Sequence, residues 1–199
     1  MSTDDQQDTP TGTAALIESV RKASAKGPPP VHLWNPPFSG DLDMRIARDG
    51  TWYHEGSPIK RAPLVRLFAS ILKREGDDYF LVTPVEKVGI TVEDAPFIAV
   101  DFEVEQENGV PVLVFETNMG DVVRAGADNP ITVTVKATTG EPSPYLHVRR
   151  DLYALIDRKS FYRLAEHAEP GDTRDGPRMV VRSAGEAFVV GPMVAGEDS

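Results

Sequence analysis

The chain has 199 residues, of which 40% are hydrophobic, and both charge signs are interspersed; this composition predicts a folded globular protein. Its 21 basic and 31 acidic residues give a net charge of −10, which disfavours general nucleic-acid binding because such a surface repels phosphate backbones. The absence of cysteine excludes disulfides, thiolate nucleophiles and cysteine-ligated metal sites.

The N-terminus reads MSTDDQQDTPTGTAAL, with acidic residues where a secretory signal would have a basic region and an apolar run. The chain also lacks the roughly 18 consecutive apolar residues that a membrane-spanning helix needs. We therefore expect a cytoplasmic protein with no membrane partner. Residues 1–13 are too polar to bury apolar surface and are expected to form a disordered tail.

Helical spacing of apolar residues predicts a first helix over Thr13–Ala25, which ends before Gly27 and three prolines. The proline-rich segment Val31–Asp41 follows. It predicts an extended strap whose Trp34 and Phe38 anchor into the body of the protein.

Further along the chain, turn signals separate strands from helices. Asp49-Gly50, between MRIA and TWYH, predicts a hairpin turn, and Asn108-Gly109 predicts another. Apolar stripes predict helices over residues 62–74 and 150–167, the second beginning with the run LYALI. A strand pair broken at Pro84 and a final pair, PRMVVRS and EAFVVG, complete the pattern.

The two halves of the chain repeat one order of parts, namely a hairpin, a helix, a turn and a pair of strands. This order indicates an internal duplication. We expect an α+β fold of two related small domains of mainly antiparallel sheet with one helix each, plus the N-terminal helix. The N-terminal domain is predicted over residues 14–100 and the C-terminal domain over residues 101–195. The groove between them is the expected ligand site.

Three segments, MRIARDGTWYHEGSPIKR, LVRLF and LVTPVEKVGITVEDAPF, resemble the bacterial family of domain of unknown function 1285. The resemblance runs from Trp34 to the second helix. It implies a two-domain, internally duplicated α+β fold whose second domain is similar to pleckstrin-homology-like barrels. It also implies a role in signalling, with no activity or ligand established for the family.

Seven residues are predicted to line the interdomain groove: Arg45, His54, Arg61, Thr83, Glu86, Glu93 and Asp94. The arginines would fix the charge of a small anionic ligand, because a guanidinium grips phosphate or carboxylate through parallel hydrogen bonds. His54 and Thr83 would contact its polar edge, and the acidic residues would orient the arginines. The structural alternative is ion pairing of the arginines with acidic neighbours and a simple corner at Thr83-Pro84.

The preferred interpretation is a cytoplasmic binding module for a small anionic ligand or a protein partner, and the family resemblance suggests signal transduction as its role. It assigns no catalytic residue, no metal site and no cofactor. A metal-assisted hydrolase using Glu86, Glu93 and Asp94 is the alternative, although the spacing matches no known metal motif. A scaffold that binds another protein through a sheet edge is a third possibility. The sequence contains no phosphate-binding loop, dinucleotide-binding fingerprint or serine-hydrolase motif.

Overall fold

The structure is a computed structural model that describes residues 13–24 and 28–193. The chain forms two compact units. The first runs to Arg45 and continues over Trp52–Thr91, and the second comprises Ile46–Thr51 and the chain from Val92 onward. The predicted disordered tail, apart from Thr13, lies outside the described residues.

The first unit contains two helices and a six-stranded sheet. The helices are α1 (Thr13–Ser24) and α2 (Ala62–Ser70). The strands are β1 (Phe38–Ile46), β2 (Trp52–His54), β3 (Ser57–Pro58), β4 (Leu72–Glu75), β5 (Asp78–Val82) and β6 (Lys87–Val92). Their order is β3-β2-β1-β6-β5-β4, and the consecutive pairs β2/β3, β4/β5 and β5/β6 are antiparallel. The predicted Asp49-Gly50 turn is confirmed, because it joins the neighbouring strands β1 and β2 and Gly50 has a φ of 85°.

The core of the first unit is built around Trp52 and Phe68, whose rings stack with 6.2 Å between centroids. Both side chains are buried, and burial of each stabilises the unit by about 2–3 kcal/mol. Further buried side chains come from the helices: Leu16, Val20, Val65 and Ala69. The predicted N-terminal helix is thus confirmed over Thr13–Ser24, and its expected last residue, Ala25, lies outside the described residues.

The second unit contains a six-stranded sheet, a three-stranded sheet and the helix α3 (Arg158–Glu166). The strands of the larger sheet are β7 (Phe97–Glu107), β8 (Val110–Thr117), β9 (Val122–Arg124), β10 (Ile131–Val135), β11 (Pro142–Arg149) and β12 (Leu152–Ile156). Their order is β10-β11-β12-β7-β8-β9, and every pair is antiparallel except β12/β7. The antiparallel strands β13 (Glu169–Thr173), β14 (Gly176–Ser183) and β15 (Glu186–Pro192) form the smaller sheet.

One predicted turn and one predicted strand pair of the second unit are confirmed. Asn108 and Gly109, with φ of 52° and 81°, join β7 to β8, and the last two predicted strands are β14 and β15. The core includes Phe102 and Phe115, whose ring centroids lie 5.2 Å apart. Both rings are buried, so these two long strands are held together by aromatic packing as well as by their ladder.

Two predicted helices are too long, because short apolar runs do not distinguish a helix from a buried strand. The helix predicted to Arg74 ends at Ser70, and Leu72 instead begins β4 and pairs with Leu81. The helix predicted from Arg150 begins at Arg158. The run LYALI before it is β12, in which burial alternates with the two-residue period of a strand.

The proline-rich strap is anchored differently from the prediction. Val31, in a short 3-10 helix over Val31–Leu33, is fully buried, and Trp34 is only partly buried. Phe38 belongs to β1 and is 55% exposed, so it is not an anchor. Its ring contacts the edge of Phe80, with 6.1 Å between centroids.

The α+β class with two related sheet-and-helix domains is confirmed. In the first unit α2 precedes the antiparallel meander β4-β5-β6, and in the second α3 precedes the meander β13-β14-β15. Neither six-stranded sheet closes into a barrel over the described residues, so the expected pleckstrin-homology-like barrel finds no support. No helix in the described part of the chain is long and apolar enough to cross a membrane.

Candidate functional site

The seven residues predicted to line one groove are divided between the two units. Five of them belong to the first unit: Arg45, His54, Arg61, Thr83 and Glu86. Glu93 and Asp94 belong to the second. The interdomain groove therefore stays a prediction, and each unit is described by its own contacts.

Two of the predicted residues in the first unit make local packing contacts. The guanidinium of Arg45 lies over the ring of Tyr53, 4.3 Å from its centroid. His54 Nε2 lies 3.0 Å from the hydroxyl oxygen of Thr13, the first residue of α1. These contacts tie β1 to β2 and α1 to β2, which are structural roles.

Thr83 and Glu86 form the turn between β5 and β6. The buried Thr83 hydroxyl accepts hydrogen bonds from the amides of Val85 and Glu86 at 3.4 and 3.2 Å, and the Thr83 amide donates to the Glu86 carbonyl at 2.9 Å. Such a hydroxyl satisfies backbone groups that the strand break frees from the ladder. Contacts of this kind stabilise a change of chain direction, which was the alternative interpretation of Thr83-Pro84.

In the second unit, Glu93 and Asp94 both contact Arg48, a residue that the sequence did not single out. Arg48 lies in the β1–β2 loop, and its amide donates to Glu93 Oε2 at 3.0 Å. Its Nε lies 3.0 Å from Asp94 Oδ2, and its Nη2 donates to Ser143 Oγ at 3.4 Å. The loop and the guanidinium are thus held by separate contacts.

Tyr145 binds Oδ1 of the Asp94 carboxylate, whereas Arg48 contacts Oδ2. Its phenol donates to Asp94 Oδ1 at 2.6 Å. Burial, and next the hydrogen bond to Asp94, raise the pKa of Tyr145 to about 12, so the phenol stays protonated and keeps donating at neutral pH. The Asp94 carboxylate therefore interacts with a neutral donor, the Tyr145 phenol, and a cationic donor, the Arg48 guanidinium. Hydrogen bonds to a charged group of this kind are stronger than those between neutral groups.

Arg48 faces a cavity of about 180 Å³ in the second unit. The β11 side of the cavity is formed by Glu141, Pro142, Ser143 and Pro144. The other lining residues come from the end of β12 and the start of α3: Leu155, Ile156, Asp157, Arg158, Phe161 and Tyr162. Apolar walls of this kind, with a few polar groups that converge on them, are typical of small-ligand sites.

The start of α3 fixes the second arginine of the cavity. The Asp157 carboxylate accepts a hydrogen bond of 2.7 Å from the Ser160 amide, which caps the helix and sets its first turn. Arg158, in that turn, lies 3.7 Å from Glu141 Oε1, and its guanidinium carbon is 6.0 Å from the Tyr162 ring centroid. Its side chain is 77% exposed, so it remains accessible from solvent.

The cavity is lined by charged groups of both signs. Arg48 and Arg158 supply guanidinium donors, and Glu141 and Asp157 supply carboxylates. The Asp157 carboxylate accepts from the Ser160 amide, and Glu141 lies 3.7 Å from Arg158. The residues that line it include no histidine, cysteine or lysine. No group of three or more histidine or carboxylate side chains in the described part of the chain could hold a metal ion.

Sequence reasoning missed Arg48 because the Asp49-Gly50 signal beside it was explained by the hairpin turn alone. It missed Ser143 and Tyr145 because the segment PSPY has no strong periodicity, although these residues begin β11. One available signal was Asp157 followed by RKSF, an N-cap that marks the true start of α3 and places Arg158 in its first turn.

Comparisons with known proteins place the chain in a family. The N-terminal domain of domain of unknown function 1285 (DUF1285) matches residues 29–95, and its C-terminal domain matches residues 96–190. No curated protein matches the chain.

Two solved structures are similar. One is the crystal structure of a DUF1285 family protein from Silicibacter pomeroyi, which is 56% identical over 89% of this chain and 95% of that chain, with a TM-score of 0.81. The other, from Shewanella baltica, is 31% identical over 63% of this chain and 91% of that chain, with a TM-score of 0.49. The chain therefore belongs to the DUF1285 family, whose function is unknown.

Proposed function

We propose that the second unit is a binding module for a small organic anion, and that the anion enters the cavity between Arg48 and Arg158. The observation that carries this proposal is the fixed guanidinium of Arg48, which contacts Asp94 at 3.0 Å and Ser143 at 3.4 Å beside the cavity. Because a guanidinium has five N–H donors, these two side-chain contacts leave donors for a ligand.

Fixing Arg48 in advance favours binding, because a free arginine side chain loses about 2 kcal/mol of rotamer entropy when a ligand immobilises it. Asp94 carries out this fixing and is itself held by Tyr145. Acidic residues were expected to orient Arg45 and Arg61. In this proposal Asp94 orients a different arginine, Arg48.

The cavity also limits the class of ligand. Its volume of about 180 Å³ is below the range of roughly 300–1,000 Å³ that drug-sized ligands occupy, so the ligand is small. The prolines, Leu155 and Phe161 form apolar walls that favour a hydrocarbon or aromatic portion over inorganic phosphate alone. An aryl or alkyl carboxylate or phosphate monoester combines both features.

The experiment is an isothermal titration of the full chain with phenyl phosphate, with benzoate and inorganic phosphate in parallel. We expect saturable binding of the two aromatic anions and weaker binding of inorganic phosphate. Arg48→Gln should weaken phenyl phosphate binding by about tenfold or more, the effect of losing one charge-assisted contact. Arg48→Lys keeps the positive charge but loses the paired N–H donors of the guanidinium. Its affinity for phenyl phosphate should lie between those of the wild type and Arg48→Gln.

Two matched controls accompany these variants. Arg174→Gln removes an exposed arginine between β13 and β14, and Arg61→Gln removes one from the first unit; both should leave the affinity unchanged. Equal affinities of wild type and Arg48→Gln, or a loss confined to Arg61→Gln, would contradict the proposal.

We do not extend the proposal to hydrolysis. The carboxylates of Glu93 and Asp94 are occupied by Arg48 and Tyr145, and Glu86 belongs to the other unit. A module that binds an anion without transforming it fits the signalling role expected from the family resemblance, in which a partner would sense the occupied state. That role is part of the proposal, and the titration tests the anion binding on which it depends.

A further inference from the structure

A second cavity, of about 230 Å³, lies between α1 and α2 of the first unit, independent of the anion site. Its apolar surface comes from both helices: Ile17, Pro63, Leu64 and Leu67. None of these four side chains is fully buried, whereas Val65 and Phe68 of α2 are packed into the core. Leu64 lies one helical turn from Phe68, so the apolar stripe of α2 is wider than its buried part. Leu64 and Leu67 extend this stripe into a groove that is open to solvent.

Two arginines, Arg21 of α1 and Arg61 before α2, line this groove. Both are exposed, and no carboxylate among the described residues pairs with either. α2 itself contains no acidic residue, and on α1 the carboxylate of Glu18 pairs with Lys22 at 3.6 Å. Two arginines thus flank the apolar residues of the groove, in a chain whose net charge is −10.

We propose that this groove binds an acidic amphipathic helix of a protein partner. The partner's apolar stripe would pack on Leu64 and Leu67, one helical turn apart, and on Ile17, and its carboxylates would pair with Arg21 and Arg61. Helix-in-groove recognition has this arrangement, in which apolar anchors give affinity and flanking charges select the partner.

The observations favour a helix over other anionic partners. An inorganic anion would use the arginines and leave the leucines exposed, whereas a helix covers both. A membrane surface is disfavoured because the overall charge of −10 opposes approach to anionic lipid, whereas a helical segment would contact only the groove and its two arginines.

The experiment uses the full chain and a fluorescent peptide of about 15 residues, with leucine at every third or fourth position and glutamate between, measured by fluorescence anisotropy. We expect saturable binding that weakens by about tenfold in Arg61→Gln and in Arg21→Gln, and that weakens with added salt. These residues are exposed, so the variants should fold normally. Arg174→Gln removes an exposed arginine that lines neither cavity; it is the matched control and should bind the peptide as the wild type does.

Three results would overturn the inference. They are equal affinity for a peptide with glutamine in place of glutamate, unchanged binding in both arginine variants, and absence of binding to the acidic peptide. Stronger binding to vesicles that contain phosphatidylserine than to the peptide, lost in Arg61→Gln, would assign the groove to a lipid surface instead and would also overturn it.

Discussion

The phenol of Tyr145 and the carboxylate of Asp94 form a hydrogen bond of 2.6 Å, and the same carboxylate lies 3.0 Å from Nε of Arg48. Asp94 thereby connects a residue of β11 to the β1–β2 loop. Tyr145 acts on Arg48 only through this carboxylate, so it is a positioning residue for the proposed anion site.

Ionisation of Tyr145 should leave a signature at high pH. Its pKa of about 12 in the folded protein exceeds the ordinary value near 10, so its contribution to stability is complete below pH 10 and is lost as the pH rises through 12. We expect the free energy of unfolding of the wild type to fall as the pH rises from about 10 to about 12. In Tyr145→Phe the part of this fall that comes from Tyr145 should be absent.

Urea unfolding at a series of pH values measures this component. The ultraviolet absorbance of tyrosinate gives a second reading, since the late absorbance change that Tyr145 contributes in the wild type should be missing in the variant. Superimposable pH profiles of the two proteins would show that Tyr145 does not hold the carboxylate as described.

Ser183 and Ser160 are both fully buried and should respond oppositely to truncation. The Ser183 hydroxyl donates to the Ala125 carbonyl at 2.7 Å and accepts from the Leu113 amide at 2.8 Å. Ser183→Ala leaves both groups without a partner and should lower the free energy of unfolding by about 2–4 kcal/mol.

The Ser160 hydroxyl has no hydrogen-bond partner among the described residues. Ser160→Ala therefore removes a buried polar group that makes no bond, and the free energy of unfolding should change by less than about 0.5 kcal/mol or should rise. Denaturant unfolding compares the two variants, and equal destabilisation would refute the assigned contacts.

Position 50 requires glycine for two reasons, its φ of 85° and the lack of space for a side chain. A Cβ there would lie 2.8 Å from Cγ1 of Ile98 and 2.7 Å from Nδ2 of Asn118. Gly50→Ala should lower the free energy of unfolding by about 2–4 kcal/mol and weaken phenyl phosphate binding, because Arg48 lies in the same loop.

Gly56→Ala is the matched control. Gly56 has a φ of 73°, but a Cβ there would meet no described heavy atom within 4 Å. Only the backbone strain of about 1 kcal/mol remains, and thermal unfolding of both variants should show the difference. A Gly56→Ala variant as unstable as Gly50→Ala would mean that packing around Gly50 contributes nothing.

Glu75 should stabilise the first unit only above acidic pH. Lys87 and Lys73 lie 2.7 and 2.9 Å from its carboxylate oxygens, and hydrogen bonds from Lys87 first, and then from Lys73, lower the pKa of Glu75 below its usual value of 4.5. A depressed pKa means that the contribution is present above pH 4.5 and disappears as the pH falls through the folded value.

Glu75→Gln should therefore lower the free energy of unfolding by about 0.5–1 kcal/mol at neutral pH and low salt, the range for partly exposed ion pairs. The difference from wild type should shrink towards zero in acid and in high salt. Urea unfolding at neutral and acidic pH tests this, and a difference that persists unchanged in acid would contradict the assignment.

Local chemistry explains which elements the sequence predicted well. The Asp49-Gly50 and Asn108-Gly109 turns are set by residues that tolerate positive φ, so two adjacent residues suffice to identify them. The C-terminal end of α2 depends on tertiary pairing. Leu72 becomes part of a strand because it pairs with Leu81, which no local pattern encodes.

The candidate site was harder to predict than the fold for the same reason. Asp94 was singled out for its charge, but its two partners, Arg48 and Tyr145, are separated from it by 46 and 51 residues in sequence. A single sequence shows which side chains have suitable chemistry; it does not show which of them the strands bring together.

The measurement that tests the central claim most directly is nuclear magnetic resonance mapping of backbone amides in the full chain during a titration with phenyl phosphate. Saturable shifts should concentrate at Arg48, Ser143 and the first turn of α3, and they should disappear in Arg48→Gln. Shifts that concentrate elsewhere in the chain, or that persist unchanged in Arg48→Gln, would contradict the proposal that this cavity is the anion site.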